Sequence, residues 1–162
     1  MKDFQDIVIE NLFYNEEYVR RVLPFLKAEY FTSECYQKIF KNINNYVSKY
    51  NIPPTTDEIA VELFNDKTVK ENTSIEINKI LDKVKTEREP QNLDWLIDQS
   101  EKFCQERAIT NAIMISLDLH ENKKTPGLIP DILRDALGVT FSTSIGHDNF
   151  ADYEHRYEYY TK

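Results

Sequence analysis

At 162 residues, with 41% hydrophobic and 12% aromatic content, the chain is long enough for one domain plus an appendage and apolar enough for a packed core. It has no 18-residue apolar run and no basic-then-apolar amino terminus, which sets aside a membrane span or secretory leader and makes the cytoplasm the expected location. The net charge of −8 divides into 16 acids and 13 bases over residues 1–90, 8 and 5 over 91–141, and 4 and 2 over 142–162, so no region offers the positive field that grips nucleic-acid phosphates.

In chain order, DFQDIVIENLF (residues 3–13) places Phe4, Ile7, Val8 and Leu12 at helical spacing. Asn15 with Glu16 and Glu17 opens a second helix, which Pro24 ends or kinks. Arg20, Arg21 and Lys27 form a small basic group there, read as a solvated helix face. Thr32 and Ser33 are candidate caps for a third helix, ECYQKIFKNINNYVSKY, with Tyr36, Ile39, Phe40, Ile43, Tyr46 and Val47 on one face. Asn51-Ile52-Pro53-Pro54 breaks it. A capping box, Thr55 with Glu58, predicts a short helix over DEIAVELFN. Thr73 and Glu76 form a similar pair ahead of IEINKILDKVK, whose apolar positions are read as Ile75, Ile80, Leu81 and Val84. Lys85–Asn92, charged and containing Pro90, reads as a link.

The stretch from Asn92 to Asn122 contains neither Gly nor Pro and predicts one long helix, roughly 45 Å at 1.5 Å per residue. Leu93, Leu96, Phe103, Ala108, Ala112, Ile115 and Leu119 share a face, while Ile109 and Ile113 point away from it. A helix that is apolar on two sides needs cover on two sides. After the polar turn 121–126, Leu128–Val139 predicts a second helix with Pro130 in its first turn. An antiparallel hairpin covers one side of each member, so the other side is expected to pair with a second copy. The residues expected at that self-association interface are Ile109, Ile113, Leu117, Ile132, Leu133 and Leu137; the competing reading of each is the hairpin's own core.

FSTSIGHDNF (141–150) reads as an extended connector, and ADYEHRYEYY (151–160) as a short terminal helix with Tyr153, Tyr157 and Tyr160 on one face. That tyrosine face either folds back on the hairpin or docks on another molecule. The expected fold is thus all-α: a multi-helix head (1–90), a helical hairpin for oligomerisation (91–140), and a linker with a short helix (141–162).

Chemistry is hard to find. Cys35 and Cys104, 69 positions apart, read as buried free thiols. His120, His147 and His155 lack metal-ligand spacing, and Asp148 serves better as a helix cap. With Gly127, Gly138 and Gly146 as the only glycines, a phosphate-binding G-x-x-x-x-G-K-[ST] loop cannot be written, and no nucleophile has an adjacent base. No catalytic, cofactor or metal residue is assigned.

WLIDQSEKFCQERAITNA (Trp95–Ala112) and GLIPDILRDALGVTFSTSIGHDNFADYEHRY (Gly127–Tyr157) resemble the amino-terminal domain of the T-even-type phage replicative DNA helicases, relatives of bacterial DnaB. Its most specific parts are Ile129-Pro130-Asp131-Ile132, Gly146-His147-Asp148 and Asp152-Tyr153-Glu154-His155-Arg156; LPFLKAEYF in the head is also similar. The resemblance implies a helical collar, paired as dimers within a hexamer, above RecA-like motors that hydrolyse ATP with Mg²⁺ and move 5′–3′ on single-stranded DNA. It further implies contacts with primase and helicase loader, and a linker docked on a neighbouring subunit through Tyr153, Tyr157 and Tyr160. The family's Walker A loop, Walker B acid and arginine finger would follow Lys162, so an excised piece of a longer protein, itself without catalysis, is expected. The alternative is a stand-alone helical adaptor that binds a replication protein through its tyrosine-rich terminal helix.

Overall fold

In the computed structural model, residues 2–122 and 126–141 are described, and all regular structure among them is helical. Asp3 caps α1 (Phe4–Tyr14) by accepting the Gln5 N–H at 2.9 Å. Asn15 caps α2 (Glu16–Val22) through the Tyr18 N–H at 3.0 Å, with acids in the first turn and Arg20 and Arg21 in the last, as the helix dipole favours. Pro24 cannot donate to a continuing ladder, and α2 closes in a 3₁₀ turn, Leu23–Phe25, followed by another at Ala28–Tyr30.

Ser33 caps α3 (Glu34–Tyr50), which stops where Asn51 takes a left-handed conformation, φ 61°. α4 (Thr56–Phe64) begins with the expected box: the Thr55 hydroxyl accepts the Glu58 N–H at 3.1 Å and Glu58 accepts the Thr55 N–H at 2.9 Å. α5 (Glu71–Thr86) departs from expectation. It starts at Glu71, so Thr73 lies inside the first turn, and Lys70 ahead of it makes no side-chain cap. Its buried row is Ile77, Leu81 and Val84, while Ile75 is 47% exposed. The earlier start brings Val69 against the core just before the helix.

These five helices enclose one core, in which Val8, Ile9, Leu12, Tyr18, Val22, Phe31, Ile39, Ile43 and Ile59 are at most 1% exposed. Each such aliphatic side chain contributes about 1.5–3 kcal/mol by leaving water. The link to the next helix is tied back to α1. Glu10 accepts Lys2 at 2.6 Å and the Glu89 N–H at 3.3 Å, and Asn11 donates to Gln91 at 3.1 Å.

α6 (Leu93–Glu121) is one unbroken helix capped by Asn92. Its buried residues are Leu96, Ser100, Cys104, Ala108 and Ala112, a strict four-residue step. Four residues overshoot one 3.6-residue turn by about 40°, so over this span the buried line winds roughly 160° around the helix. It starts inside the head core and finishes under the returning chain. The Tyr18 and Ser100 hydroxyls meet at 2.6 Å in the interior, and Phe103 packs on Phe4 and Phe31 with ring centroids 5.6 and 5.9 Å apart. The first half of α6 therefore belongs to the same cluster as the head helices, across the expected division at residue 90. A 3₁₀ turn, Pro126–Leu128, leads into α7 (Ile129–Leu137), shorter than the expected Leu128–Val139 because Gly138 closes it through bonds to Arg134 and Asp135 carbonyls.

Candidate self-association surface

Among the described residues, the buried row of α6 ends at Ala112, and α7 with the turn before it packs along the helix. Its base is held by directed contacts. Arg107 Nε donates to the Tyr30 carbonyl at 2.8 Å, and Asn111 Nδ2 donates to the Glu29 carbonyl at 2.8 Å, fixing the second 3₁₀ turn against the helix. Beside them Tyr30, Ala108, Ala112, Ile115, Ile132 and Ala136 line a groove of about 170 Å³ between α6, α7 and the turn. Small side chains on α6 allow α7 to lie close.

The outer side of this arrangement is apolar and open. Ile113 is 48% exposed, Met114 63%, Leu117 54% and Leu137 55%. Of the six residues expected at an interface, Ile113, Leu117 and Leu137 lie on this open side, whereas Ile109, Ile132 and Leu133 are half-covered within the hairpin. Ile115, expected in the inward stripe, is 47% exposed, because the buried line has already turned past it. Two residues the sequence reading passed over join the open side: Met114, more exposed than any of the six, and Leu128 at the turn. Met114 was legible as the neighbour of Ile113 outside the inward stripe; Leu128 was read as the first apolar position of the second helix, and the structure instead puts it in the 3₁₀ turn ahead of α7. On α7 Arg134 meets Asp131 at 3.0 Å, while on α6 the exposed acids Asp118 and Glu121 lie one turn beyond Met114 and Leu117. Tyr153, Tyr157 and Tyr160, expected to dock the linker, lie outside the described residues, as do His147 and His155.

Burial pushes the Cys104 thiol up to about 12, with Glu101 adding to the effect, so it stays protonated and inert at neutral pH. The Cys35 thiol is also raised by burial and the Glu76 and Glu34 carboxylates. Arg20 is engaged with Glu16 and Glu17 at 3.3 and 2.9 Å, in keeping with a solvated face. Among the described residues no group of three or more His, Cys, Asp and Glu converges as a metal site. No described helix is long and apolar enough to cross a membrane.

No protein-family model matches the chain. The chain is similar to the DnaB-like replicative helicase of Enterobacteria phage T4, at 32% identity over 166 aligned positions that take in 94% of this chain. It spans only 34% of that relative's length, so the likeness is to a part of a helicase.

Proposed function

We propose that this chain is the collar segment of a replicative DNA helicase, a helical scaffold that pairs through its hairpin and thereby spaces the parts of a larger machine. The sequence similarity supports the connection to replication, and it agrees with the resemblance carried by Trp95–Ala112 and Gly127–Tyr157. The whole protein would then be an ATP-dependent 5′–3′ helicase working in the cytoplasm of a phage-infected host. Its nucleotide, Mg²⁺ and single-stranded DNA would be handled outside these residues. Primase and helicase loader are the partners such a collar would recruit.

The open apolar side of the hairpin is the observation that supports scaffolding. Ile113, Met114, Leu117, Leu128 and Leu137 are each close to half exposed or more. Together they leave on the order of 500 Å² of apolar surface, near the upper end for a monomer and within reach of the ~800 Å² per partner of a standard interface. Its composition argues for a second copy. The exposed positions named are apolar side chains, so a second copy offers each of them the same kind of surface in return.

Light scattering and helical circular dichroism on Ile113→Asp/Leu137→Asp test the reading. A charge at two half-exposed positions should convert an oligomer into a monomer with an unchanged helical spectrum. A monomeric wild type up to millimolar concentration, or loss of helix in the variant, would refute pairing through this side. A concentration series also separates a dimer from a hexamer.

A further inference from the structure

We infer that Val139–Phe141 form a strap that fastens α7 to the base of the hairpin, so that the docking of α7 is governed from the head. α7 lies along α6 without sealing any of its side chains from solvent. None of its residues is fully buried; Ile129, Ile132, Leu133 and Ala136 are half-covered. A nine-residue helix is not stable alone in water, so its order comes from what it is tied to.

Directly after it, three successive residues are tied down. The Val139 carbonyl accepts Gln105 Nε2 at 3.1 Å. The Thr140 hydroxyl donates to Glu101 Oε2 at 3.1 Å, and the Phe141 N–H donates to the same oxygen at 2.7 Å. The Phe141 ring stacks on Phe25, centroids 4.7 Å apart and planes 21° from parallel. Glu101 and Gln105 are one turn apart on α6, so a single face of that helix holds the strap. Phe25 belongs to the 3₁₀ turn that ends α2, and Val22 and Leu23 beside it are buried in the head core. A shift of that turn is therefore transmitted through two stacked rings to Phe141 and on to α7. When α7 lifts, the groove lined by Tyr30, Ala108, Ala112, Ile132 and Ala136 opens. The strap does not depend on whether the hairpin pairs.

Hydrogen–deuterium exchange over residues 131–139 tests it, at a concentration where wild type and variants have the same native mass. Glu101→Ala removes the acceptor of two hydrogen bonds, and Phe25→Leu removes the ring stack while keeping apolar bulk. Glu101→Ala should speed exchange of the α7 amides about tenfold or more, as expected for loss of charge-assisted contacts, and Phe25→Leu about threefold or more for loss of the stack, with the α3 amides near Ile39 and Ile43 unchanged. Thr140→Val, which deletes one hydroxyl and no packing, should give a smaller rise confined to α7. Unchanged α7 exchange in both Glu101→Ala and Phe25→Leu would overturn the strap. So would a rise shared equally by α3.

Discussion

Tyr18 and Ser100 illustrate how single polar atoms fix the junction between α2 and α6. Their hydroxyls satisfy each other at 2.6 Å in the buried interior, and burial raises the tyrosine's pKa well above its ordinary 10. Tyr18→Phe leaves the Ser100 hydroxyl without its partner and should cost about 1–3 kcal/mol. Tyr18→Phe/Ser100→Ala removes both groups and should recover much of that loss, which a double-mutant cycle from urea unfolding measures. Cys104 and Tyr30 give the fold a pH dependence. Burial pushes both up to about 12, from ordinary values of 9.0 and 10.0. The unfolded chain therefore releases these protons first, and stability that is full below about pH 9 should decline between pH 9 and 12. Thermal melts across that range check the sign. For the same reason a maleimide at neutral pH should label half-buried Cys35 well before Cys104.

Among the elements, α4 and α6 differ in what holds them. α4 is a short helix whose Val61 and Phe64 are 59% and 81% exposed, so its start depends heavily on the capping box. Thr55→Ala should lower stability by about 1 kcal/mol, seen as a lower urea midpoint with unchanged slope. α6 instead depends on its narrow buried row. Ala108 is 9% exposed where the helix passes from head to hairpin, and Ala108→Leu should cost about 1–3 kcal/mol by forcing neighbours from their rotamers. The exposed ion pairs along α2 and α7 are decided by magnitude. With both partners more than 40% exposed, pairs such as Arg20–Glu17 and Arg134–Asp131 are worth little and do not determine where the helices lie.

For the whole molecule, the consequence of an open apolar side is concentration dependence. If copies associate only when folded, the melting temperature should rise with protein concentration in the wild type and become independent of it in Ile113→Asp/Leu137→Asp. Calorimetry over a hundredfold range distinguishes this from a stable monomer, whose melting temperature is constant throughout.

Local chemistry by itself determined most of the helix boundaries: Asn15, Ser33, Thr55 and Asn92 each cap where a side-chain acceptor precedes an apolar period, and Pro24 and Asn51 stop a helix where the ladder cannot continue. The all-α class, the long sixth helix and the apolar outer positions Ile113 and Leu117 were legible for the same reason, since they need only neighbours three or four residues away. Tertiary packing decided the rest. It chose Ser100 and Cys104 over Phe103 and Ile115 for the fully buried row of α6, because a row stepping by four winds around the helix and only the shapes of α2, the 3₁₀ turn and α7 select which small side chains lie beneath them. It also passed over Thr73 as a cap and drew α5 back to Glu71. A helix start is worth about 1 kcal/mol, which is less than the gain from seating Ile77, Leu81 and Val84 in a shared core.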